Sequence, residues 1–241
     1  MSLENKTVVI IGASSGIGLA LTHAIAREGA IVIMCSRSID KLNHARETIL
    51  GNVEVIAVDV TQESDVINLF AQIDSLDHLI ITAATNELEN RERFTELSTD
   101  KAQRSFDKFW GHFYAAREAA PKIALGGSIT FFSGLSAFKP AKQGMAVLAA
   151  VNGAIATLGR SLALELAPIR VNVVAPGVVD TAVWDSLSEA EYNAMIVGMQ
   201  QSLPARHVGT ADDIAQSVLY LMTNPYTTGI VLTVDGGLLL T

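Results

Sequence analysis

Thr7-Val8-Val9-Ile10-Ile11-Gly12-Ala13-Ser14-Ser15-Gly16-Ile17-Gly18 decides how the chain is read. Residues 7–11 form an unbroken apolar run after Thr7, the pattern of a strand covered on both faces. Gly12, Gly16 and Gly18 follow, and apolar residues at helical spacing begin at Ile17. Glycine permits a tight turn and lets backbone approach a ligand closely. The first amides of the helix then face that ligand with the positive end of the helix dipole, which suits a pyrophosphate. A lone glycine pattern carries little information; one placed after a strand and before a helix is what a dinucleotide site requires.

Working outward, apolar runs at 31–35, 53–58, 78–82, 128–132, 170–174 and 230–234 add six strands to the first. Helical spacing predicts helices at 17–27, 41–50, 63–74, 98–124, 145–166 and 211–222. Repeated right-handed strand-helix-strand units predict one doubly wound α/β domain of Rossmann type over residues 1–241. It should hold a seven-stranded parallel sheet with helices on both faces. Residues 178–207 show no strand pattern, only a short helix at 189–200 carrying Tyr192, Met195 and Met199, with Trp184 before it. The excursion follows the C-terminal end of a strand, where open parallel sheets bind ligands, so a substrate lid is expected there.

The composition limits the function classes. Apolar residues are 49% of the chain, enough for a large core. The run 145–151 is too short for a bilayer, and no basic or apolar leader precedes the first strand, so a cytoplasmic protein without a membrane span is expected. Cys35 is the only cysteine and lies in an apolar run, which excludes an intrachain disulfide. A formal charge of −8 disfavours nucleic-acid binding, and no residues have metal-ligand spacing.

The glycine segment resembles the signature of the short-chain dehydrogenase/reductase family, Thr-Gly-x-x-x-Gly-x-Gly, with Ile11 in place of the threonine. The resemblance continues through Asp59-Val60, Pro176-Gly177-Val178-Val179-Asp180-Thr181 and Val234-Asp235-Gly236-Gly237, and so covers essentially the whole chain. It implies that Gly12, Ser14, Ser15, Gly16, Ile17 and Gly18 cradle the cofactor phosphates. It also implies that Asp59 and Val60 meet adenine, and that Pro176, Gly177, Val179 and Thr181 lie along the nicotinamide half. Ala83 and Ala84 match the family's Asn-Asn-Ala-Gly loosely and leave room for the adenosine ribose. At the end of the second strand stand Ser36 and Arg37, a hydroxyl and a cation where a carboxylate would accept bonds from an unphosphorylated ribose. NADP(H) is therefore expected in preference to NAD(H).

The catalytic positions that the resemblance implies are occupied by other residues. The family's Tyr and Lys, four apart on one helix face, fall on Leu148 and Asn152; its Ser falls on Gly134 and its helical Asn on Lys108. Leu148 has no titratable proton, and Asn152 can bond a ribose hydroxyl but supplies no charge. Ser133 is adjacent, on the next step of the strand, where alternation should turn its side chain elsewhere. Lys108 could instead project toward Asn152 and restore a cation from another helix, with His112 one turn further on the same face. Lys108 and His112 are thus the candidate catalytic residues, and either could equally be structural.

Two readings follow. The first is an NADP(H)-dependent oxidoreductase acting on a carbonyl or alcohol of a small molecule through a non-standard site. The second is a catalytically inactive NADP(H)-binding sensor or regulatory protein. In either case the long helices and the apolar end Leu238-Leu239-Leu240 predict a homodimer or homotetramer.

Overall fold

Val8 and Ile10 of the first strand point into one core, while Val9 and Ile11 point into another. That division follows from the two-residue period of a strand and sets the layering of the protein. The computed structural model describes residues 2–83, 92–140, 144–181, 184 and 187–241. Its elements are β1 (Thr7–Ile11), α1 (Gly16–Arg27), β2 (Ile31–Ser36), α2 (Ile39–Arg46), β3 (Asn52–Ala57), α3 (Glu63–Ala71) and β4 (Leu76–Ile81). There follow α4 (Thr99–Ser105), α5 (Asp107–Ala119), β5 (Ile123–Phe132), α6 (Ala146–Glu165) and β6 (Arg170–Pro176). The chain closes with β7 (Val179–Asp180), α7 (Glu189–Ser202), β8 (Gly209–Thr210), α8 (Ala211–Thr223) and β9 (Val231–Val234).

Seven strands form one sheet in the order β3-β2-β1-β4-β5-β6-β9, with every neighbouring pair parallel. The expected α/β architecture is thereby realised. On one face, Leu21 and Ile25 of α1, Leu42 of α2 and Ile214 and Val218 of α8 close the first core. On the other, Leu69 of α3, Ala115 of α5 and Ile155 of α6 close the second. The strand order reverses between β1 and β4, so their C-terminal ends diverge into the crevice where such sheets bind ligands.

Three expectations are corrected. The single helix expected over 98–124 is divided into α4 and α5 at Phe106, and a short 3-10 turn, Ala120–Lys122, ends it. Pro121 lacks the amide needed to continue the helix, which frees Ile123 to enter β5. β5 accordingly begins before residue 128, and its register with β4 shifts between Leu76 and His78, beside Gly126 and Gly127. Within 178–207, where no strand was expected, β7 pairs in parallel with β8, tying the start of the excursion to its end.

α6 is long and apolar enough to cross a membrane by length and composition alone. Val151, Ile155, Ala156 and Gly159 are buried along it, as on a helix laid against a sheet. A Cβ at Gly159 would lie 2.4 Å from a methyl of Val173, which shows how closely the helix approaches β6.

Candidate active site

The loop after β1 is shaped by glycine where no other residue fits. Gly12 has φ 97°, in the left-handed region, and a Cβ there would lie 2.7 Å from the Ala83 amide. A Cβ at Gly18 would lie 2.0 Å from the Gly12 carbonyl oxygen. Thr82 secures the crossing by donating its hydroxyl to the carbonyls of Ile11 (3.1 Å) and Gly12 (3.2 Å). α1 starts at Ser15 in extended conformation with no side-chain cap, so its first amides remain available to an anion.

A cleft of about 410 Å³ opens over this loop. It brings together the expected Gly12, Ser14, Ser15, Gly16, Ile17, Gly18, Ser36, Arg37, Asp59, Val60, Ala83 and Thr181. The residues present fit a dinucleotide: backbone bared by glycine, an uncapped helix terminus, and a strand end without a carboxylate. Asp59 is fixed by Thr61, whose amide and hydroxyl both donate to its Oδ1 (3.0 and 2.8 Å). Lys41 and Ser38 also line the cleft. Lys41 was missed because it stands in the first turn of α2, beyond any motif; a second cation four residues after Arg37 was the available signal.

Pro176, Gly177 and Val179 do not line the cleft. Gly177 instead packs on Asp235, where a Cβ would lie 2.6 Å from the Asp235 Cα. Asp235 accepts from the amides of Gly237 (3.0 Å) and Leu239 (2.9 Å), which explains the closing Val-Asp-Gly-Gly as a brace for the Pro-Gly turn. Thr181 faces the cleft with its methyl and Cβ 3.7 Å from a Cβ built at Gly16. Ala84 lies outside the described residues.

The helix of the expected lid, α7, has no buried residue and lines neither this cleft nor the second one described below. It is held at its base by Tyr192, whose hydroxyl donates to Asp180 Oδ2 (2.7 Å), and Trp184, whose Nε1 donates to the Val179 carbonyl (2.9 Å).

At the expected catalytic positions, Lys108 and Asn152 meet. Lys108 Nζ donates to Asn152 Oδ1 at 2.9 Å, with both residues buried. Asn152 Nδ2 donates to Ser136 Oγ at 2.9 Å. The cation and the amide have exchanged helices relative to the pattern that the resemblance implies, and they still converge.

Gly134 explains how the amide fits. Its backbone is extended (φ −166°, ψ 161°), a conformation open to any residue, so glycine is not needed for the turn. It is needed for space, because a Cβ at 134 would lie 2.9 Å from Asn152 Nδ2. The amide thus occupies the volume that a side chain at 134 would enter.

Ser133 follows the alternation of Ile129 and Phe131 onto the α6 side of the sheet, where its Oγ donates to the Asn152 backbone carbonyl at 2.8 Å, and it lines neither cleft. Leu148 is half-buried on the first turn of α6.

His112 is placed otherwise than a proton donor would be. It is 1% exposed, its Nδ1 bonds the Lys108 carbonyl (2.8 Å), and its Nε2 accepts from the Phe132 amide (3.4 Å). That pattern requires the neutral Nδ1–H tautomer. Burial, and then the Lys108 charge, push its pKa down to about 3. The ring fastens α5 to the end of β5.

A second cleft, of about 730 Å³, is lined by Ser136, Phe138, Met145 and Ala149, and by Arg93, Phe94, Thr95 and Lys139. Nothing in the motif pattern marked Ser136, since it sits in a 3-10 turn, Leu135–Ala137, two residues past the matched position.

A family profile described as Enoyl-(Acyl carrier protein) reductase matches residues 12–239. A short-chain dehydrogenase/reductase of Stachybotrys chlorohalonatus is 33% identical to the chain, over 98% of each protein. The 3-oxoacyl-acyl-carrier-protein reductase of Bos taurus is 30% identical, over 98% of this chain and 99% of that one. Among solved structures, a small-chain dehydrogenase in complex with NADPH is 34% identical and superposes with a TM-score of 0.84, covering 99% of this chain and 100% of that one. A short-chain dehydrogenase/reductase from Serratia marcescens is 28% identical, with a TM-score of 0.88 over 98% and 99% of the two chains. This chain belongs to the short-chain dehydrogenase/reductase family of oxidoreductases.

Proposed function

We propose that the protein is an NADP(H)-dependent oxidoreductase acting on a small carbonyl compound or alcohol, with Lys108 as the cation of a rearranged site. The observation that carries this reading is the buried Lys108–Asn152 contact of 2.9 Å, which keeps a cation and an amide together with their helices exchanged relative to the family pattern. Bound in the first cleft, the nicotinamide would supply or accept the hydride. Arg37 and Lys41 favour the phosphorylated ribose of NADP(H) over NAD(H), and the NADPH complex of the 34% identical structure supports that choice. The acyl-carrier-protein reductases among the relatives support a carbonyl as the reacting group.

The test is consumption of NADPH over a panel of ketones and aldehydes by the wild type and by Lys108→Met, with NADPH affinity measured for both. A second reading, a catalytically inactive NADP(H)-binding sensor, is favoured by Leu148, which offers no proton at the position where the pattern has a tyrosine. NADPH binding without turnover on any substrate would select it.

The proposal includes a cytoplasmic homodimer or homotetramer without nucleic-acid or membrane partners. Trp110 on α5 and Leu164 on α6 are 45% and 84% exposed, large apolar groups on the helices expected to pair. Sedimentation at micromolar protein should show a species at least twice the 25.6 kDa chain mass; a single 25.6 kDa species would contradict it.

A further inference from the structure

We propose that Ser136, two residues beyond the position where the family pattern has its serine, is the hydroxyl that hydrogen-bonds the substrate oxygen, and that Asn152 and Lys108 orient it. The inference rests on the carbonyl or alcohol reading above and assigns the group that receives that oxygen.

The polarity of the chain of contacts is fixed by chemistry. A lysine ammonium only donates, so the Asn152 atom 2.9 Å from Lys108 Nζ must be Oδ1. Nδ2 is then the atom facing Ser136, and it can only donate, so Ser136 Oγ accepts at 2.9 Å. With its oxygen engaged in this way, the Ser136 hydroxyl proton is directed away from Asn152, and no described residue accepts it. Bonds that run in one direction from a cation polarise each other, which makes the terminal hydroxyl a better donor than an isolated serine.

Position supports the same conclusion. Lys108 and Asn152 are 6% and 3% exposed, whereas Ser136 is half-buried and lines the second cleft. The network therefore begins in the interior and ends at an open wall. Ser133 holds the backbone of Asn152 from the other side, and Gly134 leaves room for the amide to lean toward Ser136. Ser136 shares the cleft with the apolar Phe94, Phe138, Met145 and Ala149; Arg93, Thr95 and Lys139 also line it, and Lys139 Nζ donates to the Leu238 carbonyl (2.9 Å). A hydroxyl donor beside these apolar groups suits a carbonyl or alcohol on an apolar body, with the oxygen at Ser136 and the hydrocarbon against Phe94 and Phe138. Ser136 is then a substrate-binding group, and Lys108 is a positioning residue that acts through Asn152.

The experiment measures equilibrium binding to the NADPH-loaded protein of acetophenone and cyclohexyl methyl ketone against their hydrocarbon counterparts, ethylbenzene and ethylcyclohexane. Ser136→Ala should weaken both ketones about tenfold and leave the hydrocarbons and NADPH unchanged. Ser136→Thr should restore most of the ketone affinity, and Lys108→Met should weaken ketones selectively, by about threefold. Equal losses for ketone and hydrocarbon, no loss in Ser136→Ala, or no saturable ketone binding by the wild type would overturn the assignment. NADPH consumption, followed alongside, separates the two claims. Ser136-dependent ketone binding without consumption would end the reductase reading and leave the Ser136 site standing. Consumption unchanged in Ser136→Ala would do the reverse.

Discussion

Replacing Gly134 by alanine adds a methyl 2.9 Å from Asn152 Nδ2, closer than unstrained side chains approach. The backbone at 134 is extended, so the substitution carries no conformational penalty and its cost is entirely one of space. Asn152 is 3% exposed and held at both ends of its amide, by Lys108 and Ser136, so it yields only by giving up a bond. Overpacking of this kind costs about 1–3 kcal/mol. A lost buried hydrogen bond adds about 1 kcal/mol, giving about 2–4 kcal/mol for Gly134→Ala. Asn152→Ala removes the amide and leaves the Lys108 ammonium short of an acceptor, at about 2–3 kcal/mol. In the double variant the new methyl enters space vacated by the amide, so the combined loss should fall short of the sum by about 1–2 kcal/mol. Urea unfolding followed by circular dichroism at one protein concentration supplies the four values of the cycle. Additivity within about 0.5 kcal/mol, or a neutral Gly134→Ala, would refute the claim that positions 134 and 152 form one packed unit.

Arg37→Ala should weaken NADPH about tenfold while leaving NADH nearly unchanged, because Arg37 lines the cleft and only NADPH carries a 2′-phosphate on its adenosine ribose; equal losses in a titration would remove the argument for selectivity. Acid should destabilise the fold before its carboxylates titrate. Burial pushes His78 down to about 4, and burial with the Lys108 charge pushes His112 to about 3, so both are neutral when folded and take up protons near pH 6.5 when unfolded. The unfolded state then binds more protons below pH 6.5, and stability falls as pH drops from there, by up to about 1.4 kcal/mol per unit for each histidine. A urea midpoint that stays flat between pH 7 and pH 5 would contradict this.

Much of the fold was legible because its strands are covered on both faces. Runs such as Val8-Val9-Ile10-Ile11 are apolar at every position, and each is followed by a glycine or polar break. The helix misread over 98–124 shows the limit. Ala115, Ala116 and Ala119 continue the helical pattern toward Ala124, but one missing amide at Pro121 outweighs that periodicity. In the site, the meeting of Lys108 and Asn152 was readable because both stand on helices, where spacing fixes direction. Ser136 stands past the end of β5 in a 3-10 turn, where spacing no longer says which way a side chain points. His112 was legible as a neighbour of Lys108, but whether its ring faced a cleft or a backbone amide depended on how α5 docks on β5.

The central claim is a working oxidoreductase whose cation is Lys108, and it is tested most directly by the loss of NADPH absorbance when wild-type protein and Lys108→Met, each saturated with NADPH, are given a panel of apolar ketones and aldehydes. The account predicts steady NADPH consumption by the wild type on at least one compound, reduced at least tenfold in Lys108→Met at undiminished NADPH affinity. Wild-type protein that binds NADPH and consumes none across the panel, or turns over equally well without the Lys108 ammonium, would contradict it.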